Sequence, residues 1–146
     1  MRVLVQRVLS AEVQVDGKPV GRIERGLLVY LGVAEGDASD RAQWLAEKVA
    51  EMRIFDDPAG KMNLSVRDVR GGVLAVPSFT LLADARKGRR PGFDAAARPE
   101  TARPLFDAFT AALEAAGLPV ARGVFGASMR ITSDADGPVN VILDSP

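Results

Sequence analysis

Apolar and polar residues alternate through the first third of the chain. Later, apolar residues twice recur at three- and four-residue spacing, so the pattern reads strands, helix, strands, helix, strands. Met1–Val8 is apolar and β-branched, Ala11–Val15 alternates, and Asp16-Gly17 is a strong hairpin pair. Alternation resumes over Val20–Ile23, Arg25-Gly26 turns the chain, and Leu27–Val33 is nearly continuously apolar, as in a strand covered on both faces. After the polar turn Glu35–Ser39, the stripe Ala42, Leu45, Val49 and Met52 predicts a helix with Ser39 or Asp40 as its N-cap. Asp56–Gly60 is a turn, and Gly71-Gly72 leads into a strand over Val73–Val76.

From Pro77 to Arg98 the periodicity is lost, which marks a functional loop or a linker. Leu105, Phe109, Leu113 and Ala116 then share one face of a second helix, with Thr101 as its cap and Pro104 in its first turn. Gly117 and Pro119 end that helix, and three short strands follow over about Pro119–Val124, Ser128–Thr132 and Val139–Leu143. This order predicts one α+β domain over residues 1–146, with a curved or barrel-like, mostly antiparallel sheet and two main helices.

Composition narrows the chemistry. The 19 basic and 19 acidic residues cancel, so a nucleic-acid partner has to be met by a local patch. There is no cysteine, hence no disulfide framework and no thiolate nucleophile. No apolar run approaches the ~18 residues of a membrane span, and the N-terminal apolar stretch breaks too early for a signal peptide. A cytoplasmic protein is expected. Histidine is also absent, which removes the commonest general base and metal ligand and makes Ser-His-Asp and Cys-His triads impossible. An enzyme with this composition works through carboxylates, hydroxyls, lysines, backbone groups or the substrate itself.

Three segments stand out. Arg86-Lys87-Gly88-Arg89-Arg90 places four cations in five residues inside the aperiodic stretch; it is either a solvated loop or a clamp for backbone phosphates. Pro77-Ser78-Phe79-Thr80-Leu81 leaves a buried-looking strand with two hydroxyls around a phenylalanine, which suits a ligand pocket, although Phe79 in the core and Thr80 as a β-former fit as well. Gly137-Pro138-Val139 sets a proline where a strand is otherwise predicted; it either opens the last strand or holds backbone carbonyls in directions a strand does not offer. Lys61-Met62-Asn63-Leu64 reads as a turn followed by a short strand. Gly71-Gly72 lacks the pattern of a phosphate-binding loop, so nucleotide-triphosphate chemistry is not expected.

Taken in order, these segments resemble D-aminoacyl-tRNA deacylases of the bacterial and eukaryotic type over essentially the whole length. The resemblance is carried by Gln6-Arg7-Val8, the Ala11–Gly17 hairpin, Gly26–Val33, Arg53-Ile54-Phe55 through Leu64, Phe79-Thr80-Leu81, Arg86–Pro91 and Gly137-Pro138-Val139. It implies a homodimer that hydrolyses the ester between a D-amino acid, or glycine mischarged on tRNA, and the tRNA 3′ end. Ser78, Phe79 and Thr80 are then the catalytic-pocket residues. Gly137, Pro138, Val139, Pro77 and Met129 bind the substrate, with Gly137-Pro138 in the cis form and inserted into the partner's site to exclude L side chains. Arg86, Lys87, Arg89 and Arg90 meet the tRNA. No metal or cofactor is implied, and no DNA or membrane partner.

The family view that the residue matching Thr80 is a nucleophile competes with one in which the ribose 2′-hydroxyl of the tRNA drives hydrolysis. A threonine hydroxyl needs an adjacent base, and without histidine the sequence does not place one, which favours the second view. The chain departs from the family pattern at Pro77-Ser78, usually Ser-Gln, and at Asn140, usually Thr. Two further readings therefore stand beside the first: a paralogue tolerant of L-alanyl-tRNA, and a tRNA-end binding dimer impaired in catalysis.

Overall fold

The computed structural model describes residues 1–146. A long central strand, β1 (Arg2–Val15), pairs antiparallel with three others: β2 (Lys18–Ile23), β3 (Gly26–Gly32) and β8 (Arg130–Asp144). Beyond β3 the sheet continues in parallel through β6 (Gly72–Pro77) to β7 (Val120–Arg122). Strand β2 curls back to contact β6 and β7, so the sheet nearly closes on itself and encloses a small core of Val8, Val13, Ile23, Leu28, Leu74 and Val76. Helices α1 (Ser39–Glu51) and α2 (Pro99–Ala115) pack on each other over the outer face, burying Leu45, Val49, Phe106, Phe109 and Leu113 with Val3, Val5, Leu27 and Val29. The hairpin β4 (Phe55–Asp56) and β5 (Met62–Leu64) lies beside them. Neither helix is long and apolar enough to cross a membrane. The α+β class, the two helices and the barrel-like, mostly antiparallel sheet are as expected.

The pattern mislocated several boundaries. Met1–Val8 and Ala11–Val15 are one strand, because the register against β8 slips between Val8 and Ser10 and leaves Leu9 as an extra residue. Such a bulge resets the inward face by one position, and in the sequence this imitates a strand end. Likewise Arg130–Thr132 of the expected strand Ser128–Thr132 and the whole of Val139–Leu143 belong to one continuous β8, while Ser128 and Met129 precede it. Helix α1 begins after Ala38, which makes no side-chain cap bond, so neither Ser39 nor Asp40 caps it. Helix α2 begins about a turn earlier than the stripe suggested, with Arg98 at the N-cap and Pro99 at the first position. Thr101 therefore lies within the helix, and Pro104 sits in its second turn.

Candidate functional site

The aperiodic segment is ordered around a cleft. Past β6 the chain tightens into a single 3₁₀ turn, Phe79–Leu82, and then runs to an antiparallel bridge in which Asp84 and Gly92 exchange two 2.8 Å backbone hydrogen bonds. Phe93 follows the bridge and meets Phe79 edge to face, their ring centroids 5.1 Å apart. Beneath this pair opens a mainly apolar cleft of about 360 Å³ walled by Leu31, Val33, Pro77, Ser78, Ala97, Phe106 and Phe125. Apolar walls with a few polar groups at the mouth are what a small ligand or a nucleoside needs.

Of the catalytic-pocket residues expected from the sequence, Ser78 and Phe79 line this cleft together with Pro77. Thr80 does not line it, and it is exposed. The hydroxyls of Ser78 and Thr80 lie 3.1 Å apart, and this is the only hydrogen bond either makes. No carboxylate or amine is hydrogen-bonded to Thr80 to act as its base, and proton abstraction needs such a partner in reach. Met129, expected among the substrate-binding residues, does not line the cleft; its sulfur and Pro77 Cδ both crowd Gly123, where an added Cβ would come within 2.8 and 3.4 Å of them.

The basic loop hangs from the Asp84–Gly92 bridge, directly before Phe93 at the cleft mouth. Its four cations are not equivalent. Arg86 is forked onto Asp84 through Nε and Nη2 at 2.9 and 2.7 Å, and the Asp84 carboxylate also accepts the Arg86 backbone N–H at 2.9 Å. These hydrogen bonds hold the Asp84 carboxyl below the usual carboxylate range and raise Arg86. Lys87, Arg89 and Arg90 are exposed and make no ion pair.

Gly137, Pro138 and Val139 are not part of the cleft wall. They form a wide bulge on β8. Gln6 pairs with Asn140 and Val8 with Ala135, leaving Asp136, Gly137, Pro138 and Val139 opposite the single residue Arg7. The Gly137–Pro138 peptide bond is cis, as the resemblance implies. Gly137 has φ +150°, and a Cβ there would collide with the backbone nitrogen of Val139, so only glycine fits. Both residues of the pair are exposed.

The sequence reading assigned no role to the residue that braces this bulge. Arg7 is buried at 7% exposure, and its Nε donates to the Asp136 carbonyl at 3.1 Å and faces the Asp136 carboxylate at 3.2 Å. Its Nη1 donates to the Ile54 carbonyl at 2.7 Å and approaches Asp56 at 3.7 Å. Nearby, Gln6 Nε2 donates to Asn140 Oδ1 at 3.1 Å, so the side-chain oxygen of the unusual Asn140 is tied to β1. The signal for Arg7 was available: it is the inward cation in a strand whose neighbouring inward positions, Val3 and Val5, are apolar. Phe93 and Phe125, also missed, carried no periodic signal, since both sit in irregular segments.

A family model described as D-Tyr-tRNA(Tyr) deacylase matches residues 4–144. The D-aminoacyl-tRNA deacylase of Geobacter metallireducens is 55% identical over 146 residues, covering 100% of this chain and 97% of its own. That of Koribacter versatilis is 57% identical over 145 residues, covering 99% and 97%. A solved structure described as c-Myc DNA Unwinding Element Binding Protein superposes with a TM-score of 0.94 at 35% identity, covering 100% of this chain and 99% of that one.

Proposed function

Because this chain belongs to the D-Tyr-tRNA(Tyr) deacylase family, we propose that it hydrolyses the ester joining a D-amino acid to the 3′ end of tRNA. It is an aminoacyl-tRNA ester hydrolase, and the net effect is proofreading: free amino acid and reusable tRNA are released. The observation that carries the site assignment is the aromatic cleft under Phe79 and Phe93, directly attached to a loop with three unpaired cations. The terminal adenosine enters the cleft, and Lys87, Arg89 and Arg90 take phosphates without reading sequence.

Chemically, water attacks the ester carbonyl carbon, the bond to the ribose 3′ oxygen breaks, and that oxygen leaves as a hydroxyl. The ribose 2′-hydroxyl relays the proton from water toward the leaving oxygen, and backbone N–H groups hold the developing oxyanion. The lone Ser78–Thr80 hydrogen bond supports this assignment, because neither hydroxyl has a base beside it. Thr80 and Ser78 shape the pocket. Gly137 and Pro138 complete the site of a second copy of the chain: their carbonyls hold the substrate amino group and leave no room for an L side chain. Glycine, lacking a side chain, passes the same filter, which makes glycyl-tRNA a second substrate.

The deciding experiment follows ester loss from D-Tyr-tRNA, L-Tyr-tRNA, Gly-tRNA and L-Ala-tRNA with the full-length protein. Cleavage of the D and glycyl esters alone is expected. Turnover of L-alanyl ester would replace this reading with the L-alanine-tolerant paralogue, and binding without turnover would make the protein a tRNA-end binder. Duplex DNA, included as competitor because of the structural relative's description, is expected not to displace tRNA.

A further inference from the structure

We propose that Arg103 is a second, separate phosphate contact for the acceptor strand, on the cleft wall formed by helix α2 and the segment after β7; this rests on the functional reading above. Three residues of α2 line the cleft, Pro99, Ala102 and Phe106, so Arg103 stands beside that row at its rim. Its guanidinium carbon lies 4.8 Å from the centre of the Phe125 ring, and Phe125 is itself part of the cleft wall.

Such an arrangement fixes the guanidinium through its face while leaving N–H edges for an anion, the geometry that favours bidentate phosphate recognition. Arg103 makes no ion pair. The neighbouring cation Arg122 is instead occupied by Glu114 at 2.8 Å and Asp107 at 3.9 Å. Of the acidic residues on the same helix, Asp107 faces Arg122, Glu114 is bound to it, and Glu100 makes no ion pair with Arg103. Arg103 is thus the one cation of the helix, it has no ion-pair partner, and the ring it covers belongs to the cleft wall. A strand whose last nucleoside fills the cleft brings its preceding phosphodiester to the rim. On the side of Phe79 and Phe93 the basic loop serves that need, and on the Phe125 side Arg103 is the cation in place.

A purely structural role, stapling the segment after β7 to α2, makes different predictions. The test compares the wild type with Arg103→Ala, Arg103→Lys and, as a charge control outside the cleft wall, Lys18→Ala. Steady-state deacylation of D-Tyr-tRNA, binding of uncharged tRNA across a salt series, and thermal melting are measured for each. For Arg103→Ala, KM rises about tenfold with kcat within about twofold. The log–log salt slope becomes shallower by about 0.7, the single-strand value for one phosphate contact. Arg103→Lys restores the slope, and Lys18→Ala leaves it unchanged. Wild-type KM and slope in Arg103→Ala overturn the proposal, as does a loss in which melting temperature, kcat and KM all move together. If the wild type binds tRNA with an Arg103-dependent slope yet leaves D-Tyr-tRNA intact, the deacylase reading falls and the phosphate contact stands, so the two failures are separable.

Discussion

Replacing Arg7 with methionine removes the brace of the Gly137-Pro138 bulge while keeping the volume of the buried stem. The wild-type guanidinium satisfies two carbonyls, Ile54 at 2.7 Å and Asp136 at 3.1 Å, through charged donors. Hydrogen bonds to charged groups contribute about 1.5–3 kcal/mol each, and the two carbonyls are left without this donor. The carboxylates of Asp56 and Asp136 are 53% and 33% exposed, so both rehydrate and the full penalty of a stranded buried charge is not incurred. The two bonds together amount to about 3–6 kcal/mol, and with both carboxylates rehydrated the loss lies at the lower end, about 3 kcal/mol, or roughly 10 °C in melting temperature for a chain of this size. Arg7→Lys recovers less than half of this, because one ammonium cannot serve two carbonyls on different elements as the planar fork does. The functional loss should exceed the stability loss. Measured at 20 °C, where the variant remains folded, kcat/KM for D-Tyr-tRNA falls at least about tenfold, because a bulge without its brace no longer holds a productive geometry. The D-over-L ratio falls with it. Thermal melts by circular dichroism and paired deacylation assays measure both effects. A variant with lowered melting temperature but an unaltered D-over-L ratio would refute the argument that Arg7 acts through the bulge.

The cations of the basic loop should separate in a salt series of tRNA binding. Lys87→Ala, Arg89→Ala and Arg90→Ala each make the log–log slope shallower by about 0.7–0.9, whereas Arg86→Ala does so by clearly less because Asp84 already compensates it. Thr80→Val, which keeps shape but removes the hydroxyl, lowers kcat less than about tenfold; a loss of several orders of magnitude with binding intact would make Thr80 the nucleophile. The Asp144 carboxyl is held below its ordinary range by hydrogen bonding to Arg2. Its contribution is present above the unfolded carboxylate pKa near about 4 and is lost as pH falls through the lower folded value. With side chains 40% and 55% exposed, the Arg2–Asp144 pair is worth less than about 1 kcal/mol, so Asp144→Asn flattens the acid limb of a stability profile only slightly, and a steeper limb refutes the assignment. Mixing a Phe79→Asp chain with a Gly137→Ala chain restores about a quarter of wild-type activity, since half the dimers are mixed and each has one intact site. No recovery would place both halves of the site in one chain.

Local pattern reaches as far as local physics decides. The buried stripe of α1, Ala42, Leu45 and Val49, and that of α2, Leu105, Phe109 and Leu113, show directly in the spacing, because one helix face packs on one core. Leu27–Val29 is apolar at every position because β3 runs between β1 and β6 with both faces covered. What the pattern could not reveal is pairing register. Leu9 interrupts alternation without ending β1, and Asp136–Val139 bulge without ending β8, because the partner strand on either side supplies the continuity. The caps failed for a related reason: Ser39, Asp40 and Thr101 have capping chemistry, but the N-cap positions fall to Ala38 and Arg98, each directly after a buried residue, Asp37 and Ala97.

The site was legible in pieces and not as a whole, and the division follows from how it is built. Ser78 and Phe79 were readable because they leave a buried strand, and the basic loop because four cations in five residues need no partner to be noticed. The aromatic residues that complete the cleft, Phe93 and Phe125, are brought in by irregular segments and have no periodicity to betray them. Gly137 and Pro138 lie away from the cleft of their own chain, exposed and braced from behind by Arg7. Gly137 is exposed, admits no residue but glycine, and sits in a bulge held by the buried Arg7. That exposure is why the function proposed above puts the contact of Gly137 and Pro138 on a second copy of the chain. Under the proposed function, a chain without histidine or cysteine needs no local catalytic cluster: the cleft would hold the nucleoside, the substrate's own hydroxyl would move the proton, and a second copy would test the handedness of what is attached.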